Sequence, residues 1–176
     1  EDWIVLLKNK QGDIAGRLLK DAVLYSRGID GLVHIADESA AVHPSLYLAA
    51  MDVYGKAQDY EKIEKTGEKV LEKVNRQLKI RAEICLKAAY ASFRLGHEEK
   101  MMKFCWECFC SESTEKNFLR LFGTKEMAAQ YGMRGKEVLK NRIRGNCEND
   151  IRNTELHRNI IDDYSYYFLS FYMGDF

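Results

Sequence analysis

An all-α fold is predicted by three observations. Apolar residues recur at helical spacing over several long stretches, and no long strand-like alternation is present. Breaks recur at near-regular intervals, at Arg27-Gly28-Ile29-Asp30, Gln58-Asp59-Tyr60, Leu95-Gly96-His97-Glu98, Tyr131-Gly132-Met133 and Gly174-Asp175-Phe176. Their central residues 28, 58, 96, 132 and 174 lie 30, 38, 36 and 42 residues apart. Such spacing suits helix–turn–helix repeats of about 8–9 stacked helices in all, with residues 1–176 forming a single repeat domain.

The chain opens Glu1-Asp2-Trp3-Ile4-Val5-Leu6-Leu7, acidic where a signal peptide is basic. It begins without Met, which is compatible with a removed leader. Pro44 is the single proline and opens an apolar-periodic stretch, where its missing N–H loses no helical bond. The clearest unit is 44–75. Its first helix carries Tyr47, Ala50, Met51 and Tyr54 on one face, widened by Leu46 and Val53. Beyond the Gln58-Asp59 turn, Tyr60, Ile63, Gly67, Val70, Leu71 and Val74 line one face of a second helix, opposite a Glu/Lys-rich solvated face.

The next unit, 77–112, places Ile80, Ile84, Ala88, Ala91 and Leu95 on one face of its first helix, with Cys85, Ala89 and Ser92 alongside. Its second helix, about 97–111, has two apolar stripes. Met101, Cys105 and Cys108 form one, and Met102, Trp106 and Phe109 form the other, the pattern of a helix held between neighbours. A third unit from about 114 carries Phe118, Leu121, Phe122, Met127, Ala128 and Tyr131 before a turn at Gly132. Its partner helix, about 133–144, holds Val138, Leu139 and Ile143. A last helix, about 152–173, is apolar on most sides, with Ile160, Ile161, Tyr164, Tyr166, Tyr167, Phe168, Leu169, Phe171 and Tyr172.

Residues 44–75 resemble a tetratricopeptide-type repeat. The features are Tyr47 early in the first helix, Tyr54 one turn from its end, the Gln-Asp-Tyr turn, and Val70 in a small-residue slot of the second helix. Met51 and Ile63 stand where that family has small residues, and Asn75 replaces its closing proline. The resemblance implies a tetratricopeptide-like right-handed superhelix of antiparallel helix pairs, an α-α solenoid whose concave face binds peptides or proteins. Residues 114–176 are also similar to the helical repeats downstream of the SWIM zinc finger in some bacterial proteins. That finger needs Cys-x-Cys followed by Cys-x-His. Cys108-Phe-Cys110 supplies the first half, but Glu148 and Asn149 follow Cys147, so the chain would be the repeat region without the finger.

Composition narrows the function. Of the 176 residues, 27 are basic and 27 acidic, so no overall field attracts nucleic acid or an anionic surface. No apolar run approaches the roughly 20 residues that span a bilayer. Five cysteines, three of them at 105, 108 and 110, suit reduced thiols in a cytoplasmic protein better than a disulfide framework.

Cys105, Cys108 and Cys110 are the sharpest candidates for metal or redox chemistry, since paired thiolates can bind zinc or cycle oxidation states. The other potential ligands, Cys85, His97 and Cys147, are scattered, and the tetratricopeptide resemblance, aligned on Gly96, implies that Cys105 and Cys108 occupy second-helix slots that pack small or medium apolar residues, a role free cysteine suits. Packing is therefore the expectation, with a metal- or redox-responsive module as the alternative. His34, His43, His97 and His157 are isolated and expected at turns or on the surface. His97-Glu98-Glu99 lacks the second histidine of a zinc helix because Met101 stands there. Asp162 and Asp163 are neighbours, about 100° apart on a helix, and do not form a ready acid–base pair. No P-loop, Gly-x-Ser-x-Gly or dinucleotide fingerprint occurs, so the chain is expected not to be an enzyme and to need no cofactor. Arg134, Lys136, Lys140, Arg142 and Arg144 make 134–144 basic, without interleaved aromatics for base stacking.

The expected function is a protein- or peptide-binding scaffold with no membrane or nucleic-acid partner. Its concave-face residues are Leu48, Asp52, Lys56, Leu86, Tyr90 and Arg94, of which Tyr90 and Arg94 are the residue types enriched at energetic centres of interfaces. Asp52 and Tyr90 depart from the tetratricopeptide subtype that clamps a terminal carboxylate. The aromatic helix at 152–173 is expected to be covered by a following helix or another chain, the present sequence being a fragment cut within a repeat.

Overall fold

The computed structural model describes residues 2–123, 125, 128–135 and 137–138. Among these residues the regular structure is all helical, with no strand. Helix α1 (Asp2–Lys8) leads into α2 (Asp13–Glu38), which is interrupted at Gly28. There φ is 66° and ψ −161°, a backbone that a residue with a side chain rarely adopts, so the break expected at this glycine is present as a kink. Helix α3 (Ser45–Lys56) follows Pro44, and α4 (Tyr60–Lys73) begins after a turn with Gln58 at φ 56°. Asp59 caps α4 by accepting the Lys62 backbone N–H at 3.1 Å. Helix α5 (Lys79–Leu95) ends at Gly96 in the left-handed conformation, φ 75°. Helices α6 (Glu98–Ser111) and α7 (Glu115–Leu119) complete the continuous part.

The third unit departs from expectation. Helix α7 stops at Leu119, where the chain tightens into a turn that buries Leu121 and sets Phe122 edge-on to Phe118. Helical backbone resumes over 128–135 and runs straight through Gly132. Gly132 is thus no turn; three residues on, Gly135 faces Phe118 so closely that a Cβ there would lie 2.7 Å from the ring. The expected features at Met127, Cys147, His157, Asp162, Asp163 and Gly174, the aromatic helix at 152–173, and Lys136, Lys140, Arg142 and Arg144 of the basic stretch lie outside the described residues.

Each helix packs on the next in sequence, and α3 also touches α5. The tightest junction joins α4, α5 and α6. A Cβ on Gly67 would sit 2.4 Å from the Ala88 Cβ and 3.0 Å from the Phe104 ring. One turn away, Glu64 accepts hydrogen bonds from Ser92 Oγ at 2.8 Å and Lys100 Nζ at 2.7 Å, and the His97 Nδ1 lies 2.9 Å from it. Moving back along α4 thus moves forward along α5 and back along α6, so the three run antiparallel. Asp37 makes a comparable junction earlier, taking bonds from Tyr47 OH on α3 at 2.9 Å and Lys69 Nζ on α4 at 2.7 Å.

The core runs without a break from Leu19 and Leu32 through Tyr47, Met51, Val70, Ile84 and Phe104 to Phe118. As its two stripes predict, α6 is buried on both sides, with Trp106 stacking 5.3 Å from Tyr131 beyond it. Two charged residues are buried with this core, Glu64 and Arg81. The Arg81 guanidinium bonds the Leu71 carbonyl at 3.2 Å and pairs with Glu107 at 3.0 Å.

Replacing Gly67 by Ala is expected to destabilise the fold by about 1–3 kcal/mol, because the contact atom is the short Ala88 side chain, which cannot swing aside. Gly132→Ala has open space at its Cβ and should instead be neutral or stabilising by about 0.5–1 kcal/mol. Chemical denaturation of the two variants beside the parent checks both. Burial alone would raise the Glu64 carboxyl, but the bonds from Lys100, His97 and Ser92 outweigh it and hold the group below the ordinary 4.5. A depressed folded value stabilises in full above the unfolded value and ceases to do so as pH falls through the folded one. Glu64→Gln should therefore lose about 1–3 kcal/mol at pH 7, a gap that closes below pH 4.5. Urea titrations over a pH series would detect the closing gap; a gap independent of pH would remove the electrostatic role.

Candidate functional site

The six residues expected on a binding face fall on α3 and α5, which lie side by side. One side-chain contact joins α5 to α3, and a second joins it to α4. Lys87 Nζ donates to Asp52 Oδ1 at 2.8 Å with a sequence offset of 35, and Arg94 Nη1 donates to Tyr60 OH at 2.9 Å with an offset of 34. Lys56 lies one turn beyond Asp52 on α3. Leu48 and Leu86 are half-buried against the core, whereas Asp52, Lys56, Tyr90 and Arg94 are exposed. Asp52 is neutralised by Lys87, which weakens it as a contact for a partner.

Two further residues join this face, one that the sequence pattern left unplaced and one that it placed on the core. Phe93 is 65% exposed although it stands in an apolar helix, and Tyr60, expected on the core face of α4, turns its hydroxyl to Arg94. Tyr90 is 55% exposed, and its ring meets Tyr60 edge-on at 6.2 Å. The Arg94 guanidinium sits 4.7 Å over the Tyr60 ring and donates to Tyr90 OH at 3.0 Å. Tyr90, Phe93 and Arg94 form one stripe of α5, continued toward its N-terminus by Leu86 and Glu83. The signal available in the sequence was the helical spacing of 86, 90 and 93, which is offset from the stripe of Ile84, Ala88 and Ala91.

Leu86 also opens onto a cleft of about 490 Å³ between α5, α6 and α7, floored by Ile80, Ala82 and Cys108. Much of its polar rim is self-satisfied, while Glu83 stands exposed on it. Lys79 pairs with Glu112 at 3.0 Å, and the Asn117 amide donates to the Glu112 carbonyl at 2.8 Å. The cleft thus offers an apolar seat with few unspent polar groups.

The cysteines have a different character. Cys85, Cys105, Cys108 and Cys110 are buried free thiols on α5 and α6. Burial pushes the Cys85 and Cys108 thiols up to about 12 and raises Cys105, with Arg120 opposing the rise at Cys105 and Cys108. Among the described residues, no three His, Cys, Asp or Glu side chains converge as a metal site. His97 is spent on Glu64, buried His43 contacts the Leu7 carbonyl at 3.0 Å, and exposed His34 lies 3.5 Å from Glu38. Arg134, the described member of the basic stretch with a recorded contact, lies 4.7 Å over the Trp106 ring.

Comparison with protein-family models finds no match, and comparisons with curated proteins and with solved structures find none either.

Thiol burial has a direct consequence. Alkylation at pH 8 should leave Cys85, Cys105, Cys108 and Cys110 unmodified in the native protein and modify all four in denaturant. Peptide-resolved mass spectrometry reads this, and rapid native labelling of Cys105 or Cys108 would restore the redox alternative.

Proposed function

We propose that the chain is a non-enzymatic binding scaffold, a tetratricopeptide-like right-handed superhelix that takes a protein or peptide partner on its concave face. The observation that carries this reading is the exposed stripe of Tyr90, Phe93 and Arg94 on α5, a helix otherwise packed between α4 and α6. Clustered Tyr, Phe and Arg side chains are the types that dominate interface energies. The antiparallel order of α4, α5 and α6 and the contact of α3 with α5 support stacked helix pairs. Recognition would then rest on shape and side-chain complementarity, with no bond chemistry and no cofactor. Among the described residues no helix is long and apolar enough to cross a membrane. Four buried free thiols support a reducing, cytoplasmic setting.

Capture of partners from a cell extract by the purified chain, repeated with Tyr90→Ala and Arg94→Ala together, tests the face. Partners bound by the parent protein should be lost from the double variant and retained by Glu72→Ala, an exposed change on α4 outside the stripe. Equal capture by all three proteins would sink the α3/α5 face as the binding surface.

A further inference from the structure

We infer that the Tyr60–Tyr90–Arg94 cluster reads a side-chain carboxylate of a peptide partner whose neighbouring apolar residue seats beside Leu86. This rests on the scaffold reading and adds the chemistry of the ligand. The argument begins with hydrogen-bond accounting. Arg94 Nη1 donates to both phenol oxygens, at 2.9 and 3.0 Å. Each hydroxyl therefore spends a lone pair on Arg94 and keeps its own O–H to donate outward. The remaining guanidinium N–H groups are donors as well. The cluster thus presents donors from three side chains, and its complement is an oxyanion.

Charge agrees with this. No carboxylate among the described residues pairs with Arg94, and Lys56 on α3 has no ion-pair partner among them either. Asp59 is spent on Lys62 at 3.0 Å and Asp52 on Lys87 at 2.8 Å, and Glu83, the exposed acid of the α5 stripe, lies three turns before Arg94. One arginine between two phenols suits a single carboxylate, whereas a nucleic-acid track needs a row of cations. The exposed faces of Tyr90 and Phe93 flank the site and favour apolar neighbours in the ligand.

Spacing narrows the ligand further. Leu86 stands eight residues before Arg94 on the same side of α5, about 12 Å away at 1.5 Å per residue. An extended peptide covers that distance in about three or four residues. The ligand is therefore an acidic residue with a large apolar residue three or four positions from it, within the chain and without need of a free C-terminus.

The test is a random-peptide display selection on the purified full chain, followed by titration of the enriched sequences as acetylated, amidated peptides. Enriched peptides should share the acid and the spaced apolar residue. Glu→Gln in the peptide and Arg94→Gln in the protein should each weaken binding roughly tenfold, and the two together little more than either alone. Arg94→Lys should recover only part of the loss. Additive losses, or peptides without acids that still lose binding on Leu86→Ala, would overturn carboxylate reading while leaving the scaffold face intact. Full displacement of the peptide by single-stranded RNA at equal concentration would also overturn it, in favour of nucleic acid. If nothing is enriched on the parent over the Tyr90→Ala, Phe93→Ala, Arg94→Ala triple variant, the scaffold reading fails and this inference with it.

Discussion

The close approach of α4 to α5 at Gly67 is the constraint on which the described structure depends. Helices with ordinary side chains at their contact lie about 8–10 Å apart. Gly67 against Ala88 removes both obstacles, and the Phe104 ring fills the space from α6. Three helices consequently share one junction, and most residues that α5 buries are small, namely Ala82, Cys85, Ala88, Ala89, Ala91 and Ser92, with Ile84 and Arg81 the large exceptions. Any larger residue at Gly67 would separate α4 from α5 and carry Glu64 away from Ser92 at the same time.

Glu64 and Asp37 show how the stack specifies order as well as cohesion. Each carboxylate lies on one helix and takes bonds from the next two in the chain. Apolar contact is non-directional and would tolerate sliding; a buried carboxylate with fixed donors does not. Glu64 sits one turn from the Gly67 junction, so the polar clasp and the apolar contact enforce the same register.

Turns and stripes were legible in the sequence where backbone chemistry decides the outcome. Asp59 caps, Gly96 adopts φ 75°, and Gly28 breaks α2 because only glycine enters that region easily. Gly132 carries the same letter, yet lies within a helix, since a glycine permits a break without requiring one. Glu64 and Arg81 escaped because burial of a charge depends on donors and acceptors from distant helices, which one helix's periodicity does not contain. The candidate face was legible in part. Helical spacing selected Tyr90 and Arg94, but the pairing of Asp52 with Lys87 and the turning of Tyr60 toward Arg94 are properties of two helices in register.

The same junction explains why the aromatic stripe lies outside. A helix held closely at Gly67 accepts alanine and serine there, so its aromatic residues stand on other faces, while Ile84 and Arg81 are buried elsewhere along it. Helix α5 keeps Tyr90 and Phe93 pointing away. Isolated exposed apolar side chains are common and need no cause. Two adjacent aromatics around an arginine whose bonds go to phenols differ, because their exposure contributes nothing to the core and their donors are left facing solvent. Folding alone would be served as well by lysine or glutamate at 90 and 93. Two exposed aromatics beside an arginine, on a helix whose contact with α4 is made by small residues, are what direct the search for function to this face.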